Sequence, residues 1–595
     1  MLDKIIYHYN NNNYHKCLEC SEAYLEQDPK NALEYAMMAS FKIGDYVKTL
    51  HYAKQIFNLY PTSFYGLMLA KALLSNGNFN DGIRLLEELL QRQCFLKNEL
   101  GLELAFAYQS VGHLEEAERL YKVALEKDLY NLDLWKSYAE LYFKTNFQKA
   151  LNAHDELYDF VQIMIVKLKS GELIEKNFTN SINLQDRLKE KTQENLTVVK
   201  IYEYLNTQIL PQKAYLLFKL LRLQESLELF ASLCEYNQNN AQFWQNYAKA
   251  LELSANYQGA YDAYQKALSL HPHATYQFDL AYLLMRMGEN NNFEEGKRIY
   301  ESRLFYAHNE TFSPYHYNKT MQAFNKDGVQ AFKDKEILVF CEQGFGDTIM
   351  YARCLEKLCQ IASKVLFAPQ SAMYEMFKNQ LKELNKQNNI FSNLKILKDF
   401  PSEFDYAMPI CSLPLLCDIK LDEISKLRTP IIALEKPNNK IKKIGIFWFT
   451  PNAVNTDLLR NVDFVFLYNA LKDLDCEIVS FQIEGIHGLN FPNKVENRGV
   501  KLKNWNDTLD NLKDIDCIVS IDSAIAHLAL ALNIPTIVLL APRFDWRWGK
   551  FENPESFFWP KANLLTFSNE EETKDKLQSL IKKILFNDKI LYCGF

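Results

Sequence analysis

The chain of 595 residues lacks the features that mark membrane, secreted and nucleic-acid-binding proteins. No apolar run approaches the roughly 18 residues that a membrane span needs, and the opening stretch MLDKIIYHYNNNNYHK has no apolar signal-peptide core. A net charge of −7 provides no broad basic surface for nucleic acid. The 12 cysteines follow no disulfide framework, which favours a reducing compartment. We therefore expect a cytoplasmic protein with no transmembrane segment and no nucleic-acid partner.

Metal-binding and hydrolase motifs are missing as well. Cys17 and Cys20 form one CxxC pair, but no second pair and no His pair follows at zinc spacing. Two DxD strings, at 473–475 and 514–516, lie where helices are expected to turn into strands. Neither GxSxG nor HExxH occurs. We therefore expect no metal site.

The N-terminal half contains a repeat. Gly44, Gly77 and Gly112 occupy equivalent turns, spaced by 33 and 35 residues, and a period near 34 built from two helices resembles the tetratricopeptide repeat (TPR). In the best copy, at 241–272, small residues allow helices to approach and large ones fill the gaps. Those small residues are Ala248, Ala260 and Ala267, and the large ones are Trp244 and Tyr264. We predict a TPR solenoid over 1–310 that is irregular near 145–205.

A helical solenoid presents a concave groove to a polypeptide. We expect the repeats to hold a protein or peptide acceptor, and a purely structural spacer is the alternative. A connector at 311–335 is predicted to follow.

The pattern of apolar residues changes in the C-terminal half. Short apolar runs alternate with helical stretches, which is typical of parallel α/β sheets. A polar linker at 436–440 separates two α/β halves, predicted at 336–435 and 441–595. The predicted strands are Ile337–Phe340, Lys364–Ala368, Leu394–Leu397, Tyr406–Pro409, Lys443–Trp448, Glu477–Phe481, Cys517–Ile521 and Thr536–Leu540. A cleft between two such halves is a common place for a small-molecule site.

The segment 516–549 indicates an anion site. The strand Cys517–Ile521 runs into Asp522 and Ser523, both good helix N-caps, and a helix of small residues begins at Ala524. Backbone N–H groups at a helix start bind anions, and His527 lies close to the same opening. A nucleotide-diphosphate sugar would suit this place.

A second candidate site follows the first predicted strand of the other half. Gly344 and Gly346 turn the backbone and are predicted to help bind the donor, and Asp347 falls in the first turn of the next helix. This GxG string is neither a dinucleotide fingerprint nor a P-loop. Asp347 is therefore interpreted either as a helix-capping carboxylate or as a general base for an acceptor hydroxyl or amide.

Three segments carry a more specific resemblance: EQGFGDTIMYAR, GIFWFTPNAVNTDLLRN, and DSAIAHLALAL with PRFDWRWG. Together they resemble bacterial TPR proteins that carry a heptosyltransferase-like glycosyltransferase domain. That domain is of the GT-B type, with two Rossmann-like halves and the donor held mainly by the second. The resemblance covers 335–565 closely and the repeats loosely.

The resemblance implies roles for single residues. Asp347 matches the acidic residue proposed as catalytic base in the family. Ser523, Ala524 and His527 match the loop around the donor diphosphate, which also includes Asp522. Arg460 falls where the family has a basic residue near the leaving phosphates, and Asp457 is expected to hold it by an ion pair. The domain type implies no metal and no cofactor beyond the nucleotide-sugar co-substrate.

The string Asp545-Trp546-Arg547-Trp548 is rare, and we predict these residues, with Trp448, as a wall of the sugar pocket. Packing of the tryptophans in the core is the alternative.

The sequence also departs from the family. Relatives usually have Trp-x-Gly-Asn-Pro and then a His, whereas FTPN follows Trp448 here and Val454 stands at the His position. Asn461 replaces a serine, and His487 is a candidate substitute for the missing His. Either the donor differs, or activity is reduced or absent.

The combined interpretation is a glycosyltransferase whose repeats hold a protein acceptor. The alternative is a catalytically degenerate domain that serves, with the repeats, as an interaction scaffold. Transfer of heptose to lipopolysaccharide is a weaker third interpretation, because no basic amphipathic helix suited to a membrane surface is evident.

Overall fold

The computed structural model describes residues 1–92, 96–170, 193–306, 314–437, 439–451, 460–486, 489–567 and 569–586. It divides into two compact units, Met1–Asn237 and Gln238–Phe595. Within the described ranges, no helix has the length and apolar character required to span a bilayer.

The first unit is built of helices that pack mainly against their neighbours in sequence. The pairing of successive helices is the arrangement that the 34-residue period predicts. A π-helical turn, Leu205–Ile209, precedes α12. The helices are α1 (Leu2–Asn10), α2 (Tyr14–Glu22), α3 (Pro29–Ile43), α4 (Tyr46–Leu59), α5 (Ser63–Ser75), α6 (Phe79–Leu90), α7 (Lys97–Val111), α8 (Leu114–Lys127), α9 (Leu132–Glu140), α10 (Phe147–Ser170), α11 (Gln193–Tyr204), α12 (Leu210–Lys219) and α13 (Leu223–Tyr236).

The repeat breaks at α10, one helix of 24 residues within the segment 145–205 that was predicted to be irregular. Residues 171–192 of that segment lie outside the described residues. Elsewhere the predicted turns are confirmed. Gly44, Gly77 and Gly112 have φ of +85°, +79° and +85°, the left-handed conformation in which glycine ends a helix at little cost.

The second unit begins with further helix pairs, α14 (Ala241–Leu253), α15 (Tyr257–Leu270), α16 (Ala274–Met287), α17 (Asn290–Ile299), α18 (Arg303–Tyr306) and α19 (Pro314–Asp327). The packing inferred for the best repeat is confirmed, since Ala248, Ala260 and Ala267 are fully buried and Tyr264 is 1% exposed. These helices belong to the same compact unit as the sheets that follow.

One turn of this repeat is strained. Ala255 has φ of +61° where the equivalent turns at Gly44, Gly77 and Gly112 have glycine, and its side chain is exposed. A left-handed conformation costs an L-residue roughly 1–2 kcal/mol. Ala255→Gly is therefore expected to stabilise the second unit by about 1 kcal/mol, measured as a higher thermal midpoint.

Gly112→Ala is the matched control for that substitution. Its added Cβ would meet no atom within 4 Å, so only backbone strain acts, and we expect a loss of similar size. An unchanged midpoint in Ala255→Gly would contradict the assignment of strain to this turn.

The strands of the described residues form two parallel sheets. The first is four-stranded in the order β3-β2-β1-β4, and the second is six-stranded in the order β10-β9-β8-β5-β6-β7. The strands are β1 (Glu336–Phe340), β2 (Lys364–Ala368), β3 (Leu394–Ile396), β4 (Tyr406–Pro409), β5 (Lys442–Phe447), β6 (Cys476–Ser480), β7 (Val495–Asn497), β8 (Cys517–Ile521), β9 (Thr536–Leu540) and β10 (Asn563–Thr566).

The sequence predicted the strands of both sheets except β7 and β10, which are short or half-exposed and so lack a buried apolar run. If the strands of each sheet are numbered separately in chain order, the third, second, first and fourth strands lie side by side in both sheets. This is the doubly wound order. The first strand therefore has its partners on opposite sides, β2 and β4 for β1, and β6 and β8 for β5.

Helices connect the strands and cover the sheets. They are α20 (Phe345–Tyr351), α21 (Leu355–Ile361), α22 (Tyr374–Gln387), α23 (Leu413–Leu416), α24 (Leu421–Ile424), α25 (Phe464–Leu471), α26 (Trp505–Leu512), α27 (Ala524–Ala531) and α28 (Glu570–Phe586). One hydrophobic core runs from α16 and α17 through the first sheet to α27 and the 3-10 turn Trp546–Trp548. The last helical repeat and both sheets therefore share a core.

Candidate functional site

The candidate residues of the two sheets lie at equivalent places. Gly344 to Asp347 follow β1, Trp448 follows β5, and Asp522 to His527 follow β8. All three positions are carboxyl ends of strands beside the point where the strand order reverses. Ligands of open parallel sheets bind at such points.

In the first sheet, α20 begins at Phe345 directly after Gly344, so Gly346 lies in the first turn of the helix and not in the loop before it. The backbone N–H of Gly344 donates to Oδ2 of Asp347 at 3.1 Å, so this carboxylate caps its own helix. The capping role that the sequence left open is therefore present. It occupies only one of the two carboxylate oxygens.

The other oxygen of Asp347 faces Arg547. The Nη2 of Arg547 lies 2.7 Å from Oδ1 of Asp347, and its Nε lies 3.2 Å from Oδ1 of Asp545. Both contacts are close ion pairs that lack hydrogen-bond alignment. Burial opposes the charge on Arg547, but the two carboxylates outweigh it and raise the pKa of the guanidinium. Arg547 thus joins the second sheet region to α20.

In the second sheet, α27 begins as the sequence predicted. Ser523 is the N-cap, and its Oγ accepts from the backbone N–H of Ala526 at 3.3 Å and contacts Oγ of Ser520 at 2.8 Å. Ala524 is the first helical residue and is half-buried. The Ser523 hydroxyl is therefore engaged in local structure, and the part of this loop suited to a ligand is the backbone at the helix start.

His527 lies at the centre of the site and is 1% exposed. Its Nδ1 accepts from the indole N–H of Trp559 at 2.9 Å, so the neutral ring carries its proton on Nε2. That nitrogen lies 3.6 Å from Oδ1 of Asp522. Trp548 stacks on the imidazole with ring centres 5.1 Å apart.

The two helix starts touch at this histidine. A Cβ added to Gly346 would lie 2.8 Å from Cδ2 of His527 and 3.5 Å from Cα of Ala524. Only glycine allows this approach. The opening predicted at the start of α27 is therefore covered by the first turn of α20.

Arg460 is held at the end of β8. Its Nε donates to the backbone carbonyl of Asp522 at 2.8 Å, and its Nη2 lies 3.5 Å from Oδ2 of the same residue. Burial opposes ionisation of Asp522, but Arg460 and His527 hold the pKa of its carboxyl below the ordinary value. The residues Asp457, Val454 and His487, singled out in the sequence, lie outside the described residues.

Two predicted wall residues pack in cores. Trp448 is 3% exposed and lies against Phe464, with ring centres 5.0 Å apart. Trp546 is 1% exposed and contacts Phe293 and Phe558. These two tryptophans therefore pack in cores, which is the alternative that the sequence left open. Asp545 and Arg547, in contrast, contact the site.

Asn461 and Gln482 fix the segment after β5. Asn461 accepts from the backbone N–H of Thr450 at 2.9 Å and donates to its carbonyl at 3.2 Å. Gln482 accepts from the backbone N–H groups of Trp448 and Phe449. The side chains of Asn461 and Gln482 therefore position the backbone of this segment.

Sequence reasoning missed the residues that hold the loop of Arg547. Arg286 of α16 donates to the carbonyls of Phe544 and Gly549, each at 2.8 Å, and its Nε donates to Glu252 at 2.8 Å. A lone arginine in a repeat helix gives no signal of such a role, because its partners lie about 260 residues further along the chain. The last repeat thus supports the site directly.

Comparisons with known proteins give little beyond the helical repeats. No family model matches the chain, and no curated protein sequence matches it significantly. Similar solved structures include the C-terminal part of a TPR protein from Cytophaga hutchinsonii, with 12% identity over 45% of this chain and 93% of that one and a TM-score of 0.31. A TPR protein of Thermus thermophilus has 18% identity over 29% and 97%, with a TM-score of 0.22. YrrB, a TPR protein with an unusual peptide-binding site, has 14% identity over 38% and 94%, with a TM-score of 0.25.

The structure therefore brings Asp347, Arg547, Asp522, His527 and Arg460 into one region between the two sheets. The region contains two cations, two carboxylates and a buried imidazole in direct or near contact. Such a group is suited to bind an anion and to move a proton.

Proposed function

We propose that this protein is a glycosyltransferase of the GT-B type that uses a nucleotide-diphosphate sugar and a polypeptide acceptor. The observation that carries the proposal is the contact between the two helix starts. Gly346 and His527 meet beside the reversal points of two sheets with the same strand order. A donor held by one sheet and an acceptor base on the other would meet at this contact.

In the proposed reaction, a carboxylate oxygen of Asp347 takes the proton of an acceptor hydroxyl or amide. The freed electron pair of the acceptor forms a bond to C1 of the sugar. The bond from C1 to the diphosphate breaks, and its electrons leave with the nucleoside diphosphate. Backbone N–H groups at the start of α27 and the guanidinium of Arg460 stabilise that departing charge.

The site must open before substrates enter. Arg547 occupies one oxygen of Asp347, and the first turn of α20 covers the start of α27. In the proposed cycle the two sheets separate to admit the donor, and Arg547 exchanges Asp347 for phosphate oxygens. Closure would then exclude water and limit hydrolysis of the donor.

The helical repeats supply the acceptor in this proposal. The repeats of the second unit reach the site through α16, whose Arg286 holds the loop that carries Arg547. A concave array of helices commonly binds an extended polypeptide. This is the reason for proposing a protein or peptide acceptor instead of a lipid.

Asp347→Asn tests the base assignment. It removes the proton acceptor but keeps an oxygen for the Gly344 N–H group, so we expect sugar transfer to fall at least 100-fold. The measurement is transfer or donor hydrolysis with a panel of nucleotide sugars. Glu423→Gln is the matched control, because Glu423 caps α24 in the same way, at 3.0 Å from the backbone nitrogen of Lys420, away from the site. Full turnover in Asp347→Asn would remove the assignment.

A catalytically inactive scaffold is the second candidate, favoured by one observation. The polar groups of the site pair with one another, since Arg547 contacts both Asp347 and Asp545, and Arg460 contacts Asp522. Thermal shift with a broad panel of nucleotides and nucleotide sugars distinguishes the two candidates. A shift supports donor binding, and no shift across the panel favours the scaffold.

A further inference from the structure

A cavity lies beside Arg353, which follows α20. Its volume is about 1040 Å³, and its wall includes the connecting segment 425–437 between the sheets, the end of α27 and the segment 558–561. We call it the linker cavity. Its size is that of a small-molecule pocket.

The wall of the linker cavity contains polar and apolar side chains in similar measure, with an excess of positive charge. Among the described residues that line it, basic side chains outnumber acidic ones by seven to two. Four of the seven basic side chains form an ion pair with a carboxylate. Arg428 lies 2.6 Å from Glu356, and Lys442 lies 3.1 Å from Asp516.

Arg353 differs from these. It follows α20, lines the cavity and is only 5% exposed, yet no carboxylate of the described residues lies within ion-pair distance of it. Its Nη1 donates to the carbonyl of Ile424 at 3.2 Å, and its Nε is buried without an acceptor. Burial lowers the pKa of this guanidinium to about 10. A buried charge without a counter-ion is costly, and an anion beside it recovers that cost.

The surroundings of Arg353 favour an anion with an apolar body. The guanidinium carbon lies 4.2 Å from the ring centre of Trp559, and Phe391, Ile431 and Phe558 also line the cavity. Planar guanidinium groups bind phosphate or carboxylate through two parallel hydrogen bonds. We propose that the linker cavity binds a small molecule that carries one phosphate or carboxylate group on an apolar body, with Arg353 as its anion partner.

This inference goes beyond the proposed function and does not depend on it. Trp559 nevertheless borders both places, because its ring faces Arg353 and its N–H donates to His527. Asp347→Asn leaves the linker cavity intact, so binding there is expected to be the same in that variant.

The test is calorimetric titration of the full chain with phenyl phosphate, inorganic phosphate and phenol. Phenyl phosphate is expected to bind about 10-fold or more tightly than inorganic phosphate, because its ring is buried, and phenol is expected not to bind. Arg353→Gln is expected to weaken the binding of phenyl phosphate at least 10-fold. Lys426 is an exposed lysine of the same wall and pairs with Asp422. Lys426→Gln is therefore expected to change the affinity for phenyl phosphate less than twofold.

A crystal soaked with phenyl phosphate locates the site independently of any variant. Density for the phosphate beside the guanidinium of Arg353 is expected. Three results would each overturn the proposal. They are phosphate density found only elsewhere, phenol that binds as tightly as phenyl phosphate, and a folded Arg353→Gln protein with the affinity of the wild type.

Discussion

Replacing Arg286 with methionine is expected to destabilise the second unit by about 3–5 kcal/mol, because it leaves a buried carboxylate without its partner. Arg286 and Glu252 are 4% and 12% exposed at their side chains, and their N–O distance is 2.8 Å. Burial raises the pKa of Glu252 while Arg286 opposes that shift. The substitution also leaves the carbonyls of Phe544 and Gly549 without their donor. Thermal unfolding followed by circular dichroism measures the loss.

Two further variants separate the buried pair from general effects of charge. Arg298→Met removes an exposed arginine of the neighbouring helix and is expected to change stability by less than about 0.5 kcal/mol. Glu252→Leu combined with Arg286→Met removes both charges and is expected to recover part of the loss, because an apolar pair of similar volume replaces a buried ion pair at little cost. A wild-type midpoint in Arg286→Met alone would show that the pair does not hold the loop.

Periodicity made much of the fold predictable from the sequence. The glycine spacing identified the turns at Gly44, Gly77 and Gly112, because a left-handed helix end favours a residue without a Cβ. Buried parallel strands were visible as continuous apolar runs. β7, of three residues, and β10, with three half-exposed positions, carried no such run.

The candidate site was predictable only where a motif is local. Asp347 and Ser523 were placed at helix starts because capping depends on neighbours in sequence. The ion pair between Asp347 and Arg547 joins residues 200 positions apart, and no period or spacing indicates it. The same applies to Arg353, whose missing counter-ion is a property of packing. Trp448 and Trp546 were predicted at a pocket wall and lie in cores, because an aromatic residue beside a motif is suited equally to both.

Gly346→Ala is expected to lower sugar transfer strongly without removing any reacting group. The added methyl would lie 2.8 Å from the imidazole of His527, and 3.5 Å from the backbone of Ala524. His527 has little room to yield, since Trp548 stacks on it and Trp559 bonds to its Nδ1. The two helix starts must therefore separate, and a displacement of about 1 Å between reacting groups lowers turnover about 100-fold.

The same substitution separates binding from closure. In the proposed cycle the donor binds to the open form, so Gly346→Ala is expected to keep nucleotide binding by thermal shift while losing transfer. Gly344→Ala is the neighbouring control, because its Cβ would meet only the Asp347 carboxylate, at 3.2 Å. A contact of this length requires a shift of only a few tenths of an ångström, so we expect a much smaller loss. Equal transfer by Gly346→Ala and the wild-type protein would mean that the contact between the two sheets has no part in the reaction.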